Sequence, residues 1–575
     1  EPLDEELNQF VLSTVSEKTG YPIEMLDLDL DLEADLGIDT VKQAELFATI
    51  RTHFGIAKRE DLRLSDYNTL AKVIGFIKDG KMAQIVTTET LLEFEKVTPA
   101  VNDTDEKPLT QREPKPVLLP RIDLCEPTGI SLESGRVIIL KGQDKLTTDT
   151  AKQLAKLLDA KKAEVLILDA GKSLDEAESW LKAGTVSGVY CLTGLDSDPA
   201  WNENREASWK EAVSQRIEPL FELVKLIPSD AFLISATRMG GLHGIMNPMN
   251  PMGGTISGFT KAYSRERSSA LVKVVDYQSC AKPNFIAESL LQETLSDLAS
   301  LEIGRENELR FTLILSDIEM HNQNLHQFTG KEVFVISGGT GGITAAVIDD
   351  LARRSKGRFI LLSRTAIADL SDADRNALQS DPVGLKNRLM KELASTGVKV
   401  TPVQLEGRFS TLERAAATLD LIQRIEGYGA QATYIQCDVT DLASVTQAVA
   451  EVEKSVDHVD YFIHAAGLEK SRKLESKTLE EFHQVVDVKV GGFMNLFTAL
   501  EKSKRIPKSV VLFSSIAGRF GNAGQPDYSA GNDFLSKMAA WLPTQYANLQ
   551  VISLDWGAWA EIGMASRGSI PLVME

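Results

Sequence analysis

Four cysteines in 575 residues are too few and too scattered to staple a fold. Cys125, Cys191, Cys280 and Cys437 make no CxxC pair and have no ligand-like histidines beside them, which argues against disulfides and against zinc; no metal is expected. Positive charge is also in deficit. The 62 Lys and Arg against 82 Asp and Glu leave a net charge of -20, the wrong sign for a nucleic-acid or anionic-membrane partner. Long apolar runs are missing as well: none approaches the roughly 20 residues that span a bilayer, and no signal-like segment opens the chain. A soluble, cytoplasmic protein is the expectation. What remains, 43% hydrophobic and 25% charged, is ordinary globular material, enough for about three or four domains. The chain opens on acidic EPLDEEL and stops within apolar SIPLVME, so it reads as excised from something longer.

Residues 1–85 carry three stretches with apolar residues at helical spacing, ELNQFVLSTVSEKTG, VKQAELFATIRTHFG and LAKVIGFIKDG, and read as a small acidic all-α unit. Between Glu24 and Asp39 a carboxylate falls at almost every second position. A proline- and charge-rich stretch follows, and residues 86–130 read as a linker. Beyond it, apolar strands alternate with amphipathic helices twice over, at 131–327 and at 328–575, which predicts two doubly wound α/β subdomains with parallel sheets. The two stretches look like relatives. DAFLISATRMGGLHG followed by GGTISGFTKAYSRE in the first parallels SVVLFSSIAGRFGN followed by PDYSAGNDFLSKMA in the second. In the first, Ala236 falls where the second has Ser515, a glycine near Gly253 falls where it has Tyr528, and the opening turn KGQDKLT lacks glycines. The first copy is therefore expected to keep the fold without the chemistry.

The second copy opens with KEVFVISGGTGGITAAVIDDLARR, a strand, a glycine-rich turn and a helix. That order lets backbone N–H groups and a helix N-terminus take a pyrophosphate, with Gly338, Thr340, Gly341, Gly342 and Ile343 in the turn. Strand RFILLSRT follows at βαβ spacing, so Ser363 and Arg364 stand where a 2'-phosphate would, and no acid stands there for a free 2'-hydroxyl. NADPH is thereby preferred to NADH. Asp438 and Val439 end a strand where adenine would lie. Ala465, Ala466 and Gly467 end another, small enough for the cofactor to pass close. Tyr528 and Asn532 lie four apart, one turn along a helix face, and Ser515 follows the apolar strand SVVLF. Reduction of a ketone needs a proton and a fixed dipole at the developing alkoxide. Tyr528 is the natural acid, Ser515 would hydrogen-bond the substrate oxygen, and Lys489 would stabilise the phenolate. Asn532 would hold a relay water or the Lys489 ammonium.

With these pieces assembled, residues 331–565 resemble the ketoreductase domain of modular polyketide synthases, in the short-chain dehydrogenase/reductase superfamily. The matching pieces are SGGTGGIT, LLSRT, CDVT, HAAG, VKVGG, FSSIAG, GQPDYSAGN and LDWGAWAEIGMA. The resemblance implies that Lys489, Ser515, Tyr528 and Asn532 form the catalytic set, that 131–325 is a catalytically empty structural subdomain, and that a 3-oxoacyl thioester is reduced to its 3-hydroxy form. ATRMGGLHG with MGGTISGFTKAYSRERSSALVKVVDY is closest to ketoreductases of polyunsaturated fatty acid synthases and related iterative synthases. Two departures stand out. Thr344 replaces the usual last glycine of the turn, and the markers of product configuration are absent, with no LDD triplet in HAAGLEKSRKL and Phe520 in place of a tryptophan. The segment from about 366 to 414 is longer than a usual connection and has helical stretches, an insertion of no evident use.

DLEADLGIDTVKQAELF resembles the phosphopantetheine attachment motif of acyl carrier proteins, which implies a four-helix carrier fold over 1–85, an acidic face for basic partners, and an acyl thioester held on a carrier. The attachment position holds Thr40 in place of serine, a secondary alcohol stiff at χ1. Thr40 and Gln43 also spell a capping box, so Thr40 is equally able to start a helix. The whole reads as a piece of a synthase working beside ketosynthase and acyltransferase domains. The competing class is a scaffold: a degenerate carrier and an inactive reductase that hold neighbouring domains in place.

Overall fold

The computed structural model describes residues 2–19, 26–32, 36, 46–47, 50, 68–83, 111–172, 174–201, 205–318, 327–395 and 401–559. Two compact units are present, one of 1–108 with 365–417 and one of 109–364 with 418–575.

In the first unit, helices Pro2–Thr19 and Leu70–Ala83 share a small core of Val11, Val15, Leu26, Leu32, Leu46, Phe47, Ile50, Val73 and Ile77. Asn68 Nδ2 ties the loop before the second helix to Asp31 Oδ2 at 2.7 Å. Thr40 and Gln43 lie outside the described residues. The 366–414 insertion contains helices Asp372–Ser380 and Pro382–Ala394 and the start of Pro402–Gly427. Ser371 and Asp381 cap the first two, each accepting a backbone N–H of the first turn. Leu385, Leu389, Leu405, Phe409 and Leu412 give the insertion a core of its own.

The second unit holds both α/β copies. In the later copy, β9 (Val333–Ser337), β10 (Arg358–Ser363), β11 (Gln431–Gln436), β12 (Tyr461–His464), β13 (Ser509–Ser515) and β14 (Gln550–Trp556) are parallel throughout, in the order β11-β10-β9-β12-β13-β14. The apolar runs of the inner strands β9, β10, β12 and β13 are largely buried because helices cover the sheet, as βαβ crossovers require, while the outer strands β11 and β14 are half-exposed. This is the doubly wound order in which the chain reverses direction between the first and fourth strands, here β9 and β12, and ligands bind beyond the strands' carboxyl ends at that point.

The earlier copy comprises β1 (Arg112–Leu118), β2 (Arg136–Lys141), β3 (Glu164–Asp169), β4 (Gly188–Gly194), β5 (Phe232–Thr237), β6 (Val272–Tyr277), β7 (Glu302–Glu306) and β8 (Leu309–Asp317), ordered β1-β8-β7-β6-β5-β4-β2-β3. From β3 to β7 the pairing is parallel; β3-β2-β4-β5-β6 repeat the order β10-β9-β12-β13-β14, β7 adds a strand, and β8 and β1 extend the sheet antiparallel. Residues 112–118, placed within the linker on sequence grounds, are thus an edge strand. Pro114 and Pro116 hid it, since proline cannot donate to a ladder and survives in a sheet where one side of the strand has no partner.

The two copies meet through helices Gly253–Glu266 and Pro526–Gln545. A Cβ on Gly254 would stand 2.9 Å from Asp533 O, and one on Gly258 would strike Ser529 O, so two glycines a turn apart bring the helix backbones together.

Candidate active site

At the end of β9 the chain turns through Gly338, whose φ of +68° favours glycine and whose Cβ would stand 2.8 Å from the Ala466 backbone. Helix Gly342–Ser355 then begins with Gly341 at its N-cap, so no side chain satisfies the first N–H groups, and the space where a Gly341 Cβ would point is open. An uncapped helix start beside a side-chain-free turn fits a pyrophosphate. Ile343 lies in the helix's first turn, and Thr344 is buried against the sheet, so the threonine that replaces glycine there is packed inward.

The first copy shows the contrast. At the matching turn the Asp196 carboxylate accepts N–H bonds from Gln143 at 2.8 Å and Asp144 at 3.0 Å and a hydroxyl bond from Thr147 at 3.1 Å. A Cβ on Gly142 would collide with that carboxylate. The place of a phosphate is filled from within.

Around the later turn, Thr340 Oγ1 lies 3.3 Å from Ser363 Oγ, and Arg364 follows β10 with an exposed side chain that forms no ion pair among the described residues. Asp438 is committed to its own turn: Oδ1 accepts from Thr440 N at 2.9 Å and Thr440 Oγ1 at 2.7 Å. Val439 is buried, with its carbonyl held by Asn495 Nδ2 at 2.9 Å. Ala465, Ala466 and Gly467 follow β12, and a Cβ on Gly467 would meet Lys489 Cε at 2.9 Å, so glycine there leaves room for the lysine.

Lys489 sits in a single π turn, Asp487–Gly491, between two α-helical segments; such bulges re-aim a side chain without ending the helix. Its Nζ donates to Phe513 O at 2.7 Å and lies 5.8 Å from the centre of the Tyr528 ring. Burial with no paired anion pushes its pKa down to about 7. The Lys489 carbonyl accepts a ring N–H from buried His464, whose other nitrogen meets Ser337 Oγ at 2.8 Å, and burial holds this imidazole neutral by lowering its pKa to about 3.

Ser515 ends β13 and caps the short helix Ile516–Phe520, its Oγ accepting Ala517 N–H at 3.1 Å. Tyr528 is 7% exposed and packs with Val485, Ala517 and Leu468. Burial pushes its pKa up to about 12, with the Ser515 and Asn532 side chains near enough to temper the rise. Asn532 Nδ2 donates to Tyr528 O at 2.8 Å, and its buried Oδ1 has no partner among the described residues. The structure therefore brings Ser515, Tyr528 and Asn532 together, with Lys489 across the Tyr528 ring. The ammonium rests on Phe513 O, not on Asn532.

One pair beside the site carries no sequence signal. Lys477 and Asp527 are both 0% exposed and paired at 2.6 Å; Asp527 Oδ1 accepts Tyr528 N–H at 2.9 Å, and Lys477 also donates to Lys470 O. Burial raises Asp527 to about 6, against the pull of Lys477. Fifty residues apart, each reads as a surface charge.

Comparison with known families now decides what this arrangement belongs to. The KR domain family model matches residues 333–561, and the phosphopantetheine attachment site model matches 9–77. The chain joins a carrier-type domain to a ketoreductase domain. A polyunsaturated fatty acid synthase polypeptide of Thraustochytrium sp. is 27% identical over 590 residues, covering 96% of this chain and 20% of that protein. Polyketide synthase PksN of Bacillus subtilis is 24% identical over 405 residues, covering 70% of this chain and 6% of that one. The chain thus spans a fifth or less of these relatives. Among solved structures, an N-terminal ketoreductase from the macrolactin assembly line superposes with a TM-score of 0.57 at 15% identity, covering 78% of this chain and 83% of that one. An adenylation, ketoreductase and pseudo Asub multidomain structure gives 0.61 at 16%, covering 92% and 42%. At these identities the structures establish the fold. Residues 333–561 are thus a domain of the ketoreductase type, a family of nicotinamide-dependent oxidoreductases. Among the described residues, no helix is long and apolar enough to cross a membrane.

Proposed function

We propose that residues 328–575 reduce a 3-oxoacyl thioester to the 3-hydroxyacyl thioester with NADPH, supported by the structural subdomain 131–327 and the edge strand 112–118. When bound, the dinucleotide would supply a hydride to the carbonyl carbon. Gly338, Gly341 and the start of helix Gly342–Ser355 would hold its pyrophosphate, Ser363 and Arg364 its 2'-phosphate, Asp438 and Val439 would flank the adenine, and Ala465 to Gly467 would let it pass close to β12. Ser515 donates a hydrogen bond to the carbonyl oxygen, and Tyr528 delivers a proton to that oxygen as charge builds on it. Lys489 and the Asn532 amide stabilise the phenolate left behind. One arrangement carries the reading: buried Tyr528 packs against the helix that Ser515 caps, Asn532 stands one turn further along its own helix, and Lys489 Nζ lies 5.8 Å from the centre of its ring. Burial keeps the phenol protonated at rest, and a cation beside it is what offsets the cost of the phenolate formed as the proton leaves.

The acyl chain would arrive on a phosphopantetheine arm, presented by a carrier and passed on by neighbouring synthase domains such as ketosynthase and acyltransferase. Whether residues 1–85 carry that arm turns on Thr40. The test of the reductase reading is loss of NADPH absorbance with acetoacetyl thioester. Turnover supports it; bound cofactor with no turnover on any 3-oxoacyl thioester would return the chain to a scaffolding role.

A further inference from the structure

Three consecutive residues at the end of helix Gly253–Glu266 belong to the first copy, which has no counterpart of Tyr528, yet all three reach into the later copy, one to the end of the Ser515-capped helix and two to loops that border Tyr528. Arg265 Nε donates to Phe520 O at 3.1 Å. Glu266 divides its carboxylate: Oε2 accepts Leu474 N–H at 2.9 Å and Oε1 accepts Gly524 N–H at 2.9 Å. Arg267 Nη1 meets Glu475 Oε1 at 2.6 Å.

The two loops involved are those that shape the mouth of the site. Residues 468–477, beyond the small residues that follow β12, set Leu468 against Tyr528. Residues 521–525 join the Ser515-capped helix to the helix that carries Tyr528 and Asn532. The loops also touch each other, Arg472 N–H donating to Gly524 O at 2.9 Å and Gln525 Nε2 to Ser471 Oγ at 2.8 Å. A half-buried carboxylate with one oxygen on each loop couples them, since neither can swing outward without breaking a charge-assisted bond.

We infer that Arg265, Glu266 and Arg267 form a clasp by which the subdomain without the tyrosine fixes the spacing of the two loops at the candidate active site, with Glu266 the positioning residue that sets the room for the acyl thioester. The kinetic consequence rests on the ketoreductase reading; the clasp itself does not. Cutting Glu266 frees both loops at once while leaving the glycine turn and the β9–β10 edge, where the dinucleotide would lie, intact.

The test is Glu266→Ala in the full chain, followed by amide hydrogen exchange and kinetics with acetoacetyl thioester. Exchange in 468–477 and in 521–525 should quicken together by about tenfold or more, with 338–344 unchanged. KM for the thioester should rise about fivefold to tenfold, kcat should change less, and NADPH affinity should hold. Glu266→Gln keeps one acceptor oxygen, so one loop should loosen and the other stay protected. The clasp is wrong if Glu266→Ala leaves either loop's exchange unchanged, if exchange quickens across the whole chain, or if kcat falls with KM unmoved. Should Glu266→Ala fail to fold, Arg267→Ala removes the partner of exposed Glu475 together with a cation–π contact to Tyr263 inside the first copy, and should loosen 468–477 but not 521–525; no change in 468–477 also overturns the proposal. Failure of the ketoreductase reading looks different: wild type would show no turnover while the paired exchange response persists.

Discussion

Lys489 is 3% exposed, donates to Phe513 O at 2.7 Å, and pairs with no carboxylate among the described residues. Replacing it with methionine keeps the length of the side chain and removes the charge. Burial lowers its pKa from 10.5 to about 7, so the unfolded chain takes up this proton well before the folded one does. At about 1.4 kcal/mol per pH unit, the buried lysine costs the fold about 4 kcal/mol at pH 7 and under about 1 kcal/mol at pH 10. Against this, the substitution leaves the Phe513 carbonyl without its donor, a loss of about 1–3 kcal/mol at either pH. Lys489→Met should therefore be more stable than wild type at pH 7 and less stable at pH 10. Urea unfolding at both pH values reads this as a change in the sign of the midpoint difference. Turnover should fall at least about a hundredfold, because the ammonium over the Tyr528 ring is that of Lys489, while that of Lys477 is held by Asp527. In wild type the rate should decline as pH rises through about 7, where Lys489 loses its proton, and the mutant should lack that limb. A mutant less stable than wild type at pH 7 would show that the ammonium is paired in solution by something the geometry does not reveal.

Tyr528→Phe should lower turnover at least about a hundredfold and spare NADPH affinity, because it removes a proton donor and no cofactor contact; rates near wild type would remove Tyr528 from the chemistry. Arg364→Ala should weaken NADPH far more than NADH in a direct binding titration, since only the former loses a charge-assisted phosphate bond, and equal losses would place Arg364 elsewhere. Incubation with coenzyme A and a broad phosphopantetheinyl transferase, read by intact mass, should load wild type poorly and Thr40→Ser readily, because serine keeps the capping oxygen and loses only a methyl. Full loading of wild type would make Thr40 a working attachment site, and failure of both would place the defect in the recognition surface.

The later copy was legible because its signals are local. Each strand is a short apolar run closed by small residues, and the glycine turn, Ser515, Tyr528 and Asn532 stand at spacings that one strand end or one helix turn fixes. What stayed hidden depends on distance along the chain or on rules that apply only at an edge. Strand β1 hid behind Pro114 and Pro116. The first copy's last two strands hid behind Arg305 and Arg310, charges that look exposed in sequence but are buried on Glu293. Lys477 and Asp527 give no hint of each other across fifty residues. Glu266 sits in SRERSS, a charge run that reads as a solvated helix end until its two oxygens are seen on two loops.

The two copies differ in how each closes the same gap. Both end a first strand in a turn that leads into a helix, and both leave backbone N–H groups facing outward that an anion must satisfy. In the later copy Gly341 offers nothing, so the demand is left to a ligand. In the earlier copy Asp196, 6% exposed, meets it with three bonds, and as part of the chain it is always present at a concentration no free phosphate matches. One carboxylate thus occupies the turn of the earlier copy with no change of fold. That copy is then free of ligand-driven constraint, and its helix Gly253–Glu266, packed by Gly254 and Gly258 against the helix of Tyr528, can serve wholly to hold its neighbour's loops.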